Sequence, residues 1–265
     1  GVAGARVRVG DTACEDVSYI EEHAALRCRV SGATGAVQSG YGVVVSLSGQ
    51  SSRVMHVYAY AAPRVESCSR VGSQGGEVTV RGRSFGEAGA VVSVAGRGCV
   101  GVRYESRHRV VVCRAGGGVG GAHNVSVESG GRVGVGVGVF SYAEPQVHNV
   151  SAVSTAGGRV TVGGAGFGTA AGDVRVWLGE GAGAACTDVV VIANHSFVSC
   201  VAGAGSGGQQ SVRVGVRGQF GRTAGVFSYA APEVLNVSRV SSAGGVVSVR
   251  GSSFGQTDDE VIVRV

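Results

Sequence analysis

The chain has 265 residues, of which 49 are Gly and 3 are Pro, and its formal net charge of +5 rests on Arg with no Lys at all. With no Gly at every third position and almost no Pro it is not collagen. At 44% hydrophobic and 15% charged it suits neither disorder nor a long coiled coil. No run of 18 apolar residues spans a membrane, and scattered Arg without interleaved aromatics is a poor footprint for nucleic acid.

Val and Ala supply most of the apolar material and fit a pleated sheet better than a helix. The segment from Gly1 to Asp11 has no initiator Met and no signal-peptide pattern, so it reads as a mature or internal stretch. Its alternation Arg6-Val-Arg-Val9 predicts a half-buried strand. Cys14 and Cys28 follow, with His23 five residues before the second. A boundary then reads Tyr58-Ala-Tyr60-Ala-Ala-Pro63, and Cys68 stands just beyond it. Next come the Gly75-Gly76 pair, the strand pattern Glu77-Val-Thr-Val-Arg81, and Phe85-Gly86. Cys99 and Cys113 repeat the earlier spacing, with His108 again five residues before the second. Gly116-Gly-Gly-Val-Gly-Gly121 precedes no helix pattern and reads as turn punctuation. Asn124-Val-Ser follows, then the alternation Arg132-Val-Gly-Val-Gly-Val-Gly-Val139. There the Gly positions are expected to face outward, leaving a bare sheet face open to another backbone or to sugar. Drift toward Gly in a GC-rich gene explains that pattern equally well, and coding bias also accounts for the missing Lys.

The same marks then return. Phe140-Ser-Tyr142-Ala-Glu-Pro145 and Phe227-Ser-Tyr229-Ala-Ala-Pro232 repeat the boundary. Gly157-Gly158 and Gly244-Gly245 each lie twelve residues after their Pro, and Phe167-Gly168 and Phe254-Gly255 lie ten residues further on. Arg159-Val-Thr-Val-Gly163 and Val246-Val-Ser-Val-Arg250 fill the intervals. The third cysteine pair is Cys186 and Cys200, with His195 in the equivalent place. The period is 82 to 87 residues, the size of a small sandwich of short strands.

This series of Phe-Ser-Tyr, Pro, Gly-Gly, Phe-Gly and paired Cys resembles the IPT/TIG domain, the immunoglobulin-like module shared by plexins and transcription factors. The paired cysteines look most like its extracellular branch, found in plexins, hepatocyte-growth-factor-type receptors and fibrocystin-like proteins. The resemblance implies an all-β chain of tandem immunoglobulin-like β-sandwich domains. The register gives the C-terminal part of one domain (1–62), two full domains (63–144 and 145–231) and the N-terminal part of a fourth (232–265). Each partial domain is expected to expose sheet edges and core, either as a window on a longer array or as halves that complete one another head-to-tail between protomers.

A fixed separation of fourteen suggests one intradomain disulfide per repeat: Cys14–Cys28, Cys99–Cys113 and Cys186–Cys200. Buried free thiols are the alternative, and two thiols per domain are too few for zinc. The unpaired Cys68 has Val150 and Val237 as equivalents, so it reads as a small core residue or as an intermolecular disulfide. The four Asn residues, Asn124, Asn149, Asn194 and Asn236, are the only Asn in the chain, and each heads an N-x-Ser sequon. They are expected to carry N-linked glycans, with unmodified surface Asn as the alternative. His23, His108 and His195 invite a metal reading. Their odd spacing from Cys sets the side chains on opposite faces of a strand, so a polar residue at a loop-to-strand transition is expected. Asp258-Asp259-Glu260 lacks the ligand pattern of a calcium loop and reads as a solvated loop.

No nucleophile elbow, zinc-protease helix motif or phosphate loop appears, so no enzyme, cofactor or metal is expected. The leading expectation is an extracellular or cell-surface structural or adhesive glycoprotein, a rod of tandem domains assembling into an elongated array or filament. Its partners would be further copies of the same domain and glycans. The alternative is the stalk or ligand-binding ectodomain of a cell-surface receptor. The transcription-factor use of the module would require reduced cysteines and salt-sensitive DNA contacts, and the cysteine pairs and sequons argue against it.

Overall fold

The computed structural model describes residues 4–32, 40–54, 57–179, 183–256 and 261–264. Alternating Val and Gly-bounded turns fold into strands throughout, and the helical content of the described residues is a single 3-10 turn at Ala171–Asp173. The first strands are β1 (Arg6–Val9), β2 (Thr12–Ala13), β3 (Glu15–Glu21), β4 (Ala25–Arg29), β5 (Tyr41–Leu47), β6 (Gln50–Ser51) and β7 (Val57–Tyr58). They form one antiparallel sheet ordered β2-β1-β5-β6, with β7 on β5, and a separate β3–β4 hairpin.

Next come β8 (Arg64–Cys68), β9 (Gly76–Arg83), β10 (Val91–Val94), β11 (Arg97–Gly98), β12 (Val100–Ser106), β13 (Val110–Ala115), β14 (His123–Ser129) and β15 (Arg132–Phe140). They form two four-stranded sheets, β12-β13-β9-β8 and β11-β10-β14-β15. The chain continues with β16 (Gln146–Val150), β17 (Gly158–Ala165), β18 (Val174–Leu178), β19 (Ala184–Ala185), β20 (Thr187–Ala193), β21 (Phe197–Ala202), β22 (Gln210–Val216) and β23 (Gln219–Phe227). Their sheets, β16-β17-β21-β20 and β19-β18-β22-β23, repeat the same order. A last pair, β24 (Glu233–Val237) with β25 (Val249–Ser252), has the register and bulge of β16 with β17. By contact density the chain divides into two compact units, Gly1–Ser69 with Glu77–Gly116 and Ala122–Phe140, and Arg70–Gly76 with Gly117–Gly121 and Ser141–Val265.

In the second unit, inward residues of both sheets meet: Val160, Val162 and Val198 from one, Val176, Val212 and Val214 from the other, with Phe167 and Phe227 closing the ends. The first unit buries Val78, Val80, Val92, Val111, Val125 and Val127 completely, again with two Phe, Phe85 and Phe140. Each such side chain contributes about 1.5–3 kcal/mol by leaving water. The Phe of each Phe-Gly motif rests on a Gly three residues earlier: a Cβ on Gly82 or Gly164 would lie 2.6 Å from the ring of Phe85 or Phe167. The Gly pair after each boundary is fixed by its backbone, since Gly157 and Gly158 have φ of +85° and +140° and the other two pairs match them.

One expectation is overturned. In the first part of β15 the glycines point inward and the valines outward: Gly134 and Gly136 are buried, while Val133, Val135 and Val137 are 56%, 54% and 78% exposed. The reason is a close backbone crossing. A Cβ on Gly134 would overlap the carbonyl oxygen of Pro63, and one on Gly136 would lie 2.9 Å from Val65 Cγ1. Gly221 of β23 meets the carbonyl of Pro145 in the same way. The boundary Pro thus leads the chain across its own edge strand, and only Gly leaves room.

Candidate functional site

Three features recur at equivalent positions. The first is the disulfide. The bridges are Cys14–Cys28, Cys99–Cys113 and Cys186–Cys200, with Cα–Cα distances of 5.6, 5.8 and 5.7 Å. In the two full copies each joins a strand-flanking residue to an inner strand. The N–H of Cys99 donates to the Val92 carbonyl on β10, and that of Cys186 to Val176 on β18, while Cys113 and Cys200 lie on β13 and β21 of the opposite sheet. In both full copies the bond therefore pins the two sheets together.

The second feature is the histidine corner. His23, His108 and His195 have φ of 64°, 63° and 67°, the left-handed region that His tolerates better than most residues. Each turns a hairpin: β3–β4, β12–β13 and β20–β21. The N–H of His108 donates to Gly86 O at 2.8 Å, and its carbonyl accepts from Phe85 N–H at 3.2 Å. His195 makes the same two bonds with Gly168 and Phe167. The corner and the Phe-Gly motif are therefore one interlocked element. His195 Nδ1 also lies 2.9 Å from Ser73 Oγ, but Ser73 is buried, which shuts its hydroxyl away from any substrate. His108 Nε2 lies 3.4 Å from Glu87 Oε1.

The third feature is the set of sequons. Asn124, Asn149, Asn194 and Asn236 are all exposed. Asn124 Oδ1 accepts a bond from Gly138 N–H at 3.0 Å, which leaves its amide nitrogen unengaged by that bond. Asn149 and Asn236 sit at the equivalent bulges of β16 and β24. Cys68, at the end of β8, is half-buried as a free thiol, and burial pushes its pKa up to about 11. A neutral thiol of this kind is a poor nucleophile. Among the described residues no three His, Cys, Asp or Glu side chains gather closely enough to hold a metal, and Asp258–Glu260 lie outside those residues. No described helix is long and apolar enough to cross a membrane.

The sequence profile of the IPT/TIG domain matches residues 63–142 and 145–229, more than half of the chain. The chain belongs to the IPT/TIG domain family. Its two matched copies are the two sandwiches described above, each with one disulfide, one histidine corner and one boundary Pro. No curated protein matches the sequence. Solved structures to which it is similar include SGBP-B from a complex xyloglucan utilization locus in Bacteroides uniformis (15% identity, 63% of this chain and 50% of that one, TM-score 0.29). Another is the surface glycan-binding protein PbSGBP-B from Prevotella bryantii (11% identity, 64% and 43%, TM-score 0.43). A third is the full extracellular region of plexin A4 (9% identity, 85% and 40%, TM-score 0.25). The chain spans half or less of the length of each of these three proteins.

Proposed function

We propose that this chain is a non-enzymatic extracellular structural or adhesive glycoprotein, built as tandem IPT/TIG domains and assembling into an elongated array or filament. The observation that carries the reading is the recurrence of one inter-sheet disulfide per full copy, beside sequons whose Asn side chains are all exposed. Such bridges persist in oxidising compartments, and an N-glycan needs an accessible Asn amide. Assembly is supported by two unpartnered surfaces. An open apolar groove of about 720 Å³, bordered by Val7, Val9, Leu26, Val43 and Val45, lies between β1–β5 and the β3–β4 hairpin. In the full copies a strand pair like β16–β17 covers that position. The β24–β25 pair has the same register, yet leaves Val234 and Val237 57% and 48% exposed. Another copy of the module, in a longer chain or a second molecule, would cover both.

Intact-mass measurement on secreted material, before and after deglycosylation and reduction, tests the reading. Sugar at the sequons and three disulfides are expected. Unmodified mass with seven free thiols would refute the extracellular assignment. Electron microscopy of native material tests assembly, and dispersed single particles would refute the filament.

A further inference from the structure

The two matched copies, the second (63–142) and the third (145–229) along the chain, are alike inside and unlike on one outer face. In the third copy's sheet β19-β18-β22-β23, register places Arg175 beside Gly215 and Phe220, and Trp177 beside Arg213 and Arg222. The second copy presents Val91, Glu128 and Val133, and Ser93, Ser126 and Val135, at the corresponding positions. There the face has neither an arginine nor an aromatic ring at these places.

The side chains of the third copy form an ordered stack. The Arg213 guanidinium lies 4.6 Å from the Trp177 ring centroid and 4.5 Å from that of Phe220, capping two tilted rings whose centroids are 6.2 Å apart. A planar, weakly hydrated cation suits this place. Gly215 makes the floor, since a Cβ there would lie 2.8 Å from Phe220 and 3.1 Å from Trp177. Arg175 and Arg222 are exposed on either side, and Phe220 is 50% exposed. A shallow depression of about 290 Å³ runs between Trp177, Phe220 and Arg175. The carboxylate ion-paired on this face among the described residues is Asp173, at 2.8 Å from Arg217. Arg175 and Arg213 therefore bring positive charge to the platform.

We propose that this face binds an acidic polysaccharide, a chain of sugar rings bearing sulfate or carboxylate groups. The flat rings of Trp177 and Phe220 offer stacking to the C–H faces of sugars, and Arg175 and Arg213 offer charge-assisted bonds to the anionic groups. A platform open on one side accommodates an extended chain passing across it. The second copy lacks the stack, so it serves as an internal control.

The test is binding of the full, folded chain to immobilised heparin, polygalacturonate, neutral dextran, polyglutamate and a single-stranded oligonucleotide. Binding to heparin or polygalacturonate that weakens as salt rises is expected, and the comparison of those two separates sulfate from carboxylate recognition. Trp177→Ala and, separately, Arg175→Glu should each weaken it by about tenfold, on the order of one desolvated cation–π or charged contact. Arg175 is exposed and unstacked, so its variant tests the site even if Trp177→Ala fails to fold. Val135→Arg in the second copy should leave binding unchanged within about twofold. Three outcomes overturn the proposal: equal binding to neutral dextran, preference for polyglutamate or the oligonucleotide, or full binding by Arg175→Glu. None of them touches the glycoprotein assignment, which rests on the mass measurements.

Discussion

Removing the Cys186–Cys200 bridge by a double substitution to Ala tests the inter-sheet staple. The cross-link spans a sequence separation of 14 residues. In the chain-entropy account, closing such a loop is worth about 3 kcal/mol at 25 °C. Cys200 is fully buried and Cys186 nearly so, both within the hydrophobic cluster of the third copy, so losing the sulfur atoms adds roughly 1 kcal/mol of cavity cost. A total of about 4 kcal/mol, at roughly 4–8 °C per kcal/mol for a domain of this size, predicts a fall of about 16–32 °C in its unfolding midpoint. Differential scanning calorimetry of the whole chain should show one transition moving while that of the second copy, with Cys99–Cys113 intact, stays in place. A shift under about 5 °C would mean that the Val core holds the sheets without the bridge, and the staple argument would fall.

Substituting Gly134→Val should cost more than about 2 kcal/mol in urea unfolding, because the new Cβ overlaps the Pro63 carbonyl, whereas outward Val135→Thr should cost under about 0.5 kcal/mol. If the two variants unfold alike, the inward assignment of Gly134 is wrong. Tyr104 donates its hydroxyl to Phe85 O at 2.9 Å and accepts from Ala90 N–H at 3.1 Å, so Tyr104→Phe should lose about 1–2 kcal/mol. Burial raises the Tyr104 pKa, so this contribution is full below the unfolded tyrosine pKa of about 10 and disappears as pH climbs through the higher folded value. A wild-type-like alkaline limb in Tyr104→Phe would refute that assignment. Cys68, with its pKa pushed up to about 11, should react with iodoacetamide at pH 7.5 at least about tenfold more slowly than free cysteine, and equal rates would refute its burial.

The repeat, the cysteine spacing and the strand positions were legible in the residues because each depends on local pattern: alternation for strands, Gly for turns, constant separation for the bridges. The interlock of His108 with Phe85-Gly86 was not. Phe85 precedes His108 by 23 residues, but Phe167 precedes His195 by 28, so no constant separation ties the two marks. The bond between them is made by backbone groups, which carry no residue code. A hint existed in the residue type, since His is enriched in the left-handed region and three of the six recur in one place. The aromatic–arginine stack was hidden for a related reason. Trp177, Arg213 and Phe220 come from three strands, and only the register of β18, β22 and β23 makes them neighbours.

The reversed parity of β15 shows why hydrophobicity alone misjudges an edge strand. A Val/Gly alternation reads as valine inward when the opposing layer is taken to be side chains. Here the opposing layer is the backbone leaving Pro63, and backbone against sheet leaves no depth for a Cβ. In the third copy the inward positions are Gly221, under the Pro145 carbonyl, and Thr223, whose hydroxyl donates to Val147 O at 2.8 Å. The crossing therefore constrains the inward positions in both copies and leaves the outward ones free. That freedom has been used differently: Val133 and Val135 in one copy, Phe220 and Arg222 in the other. Since core packing cannot require an exposed phenylalanine or arginine, the difference between the copies points to what lies outside the fold, and the outward face of β18, β22 and β23 is where a ligand should be sought.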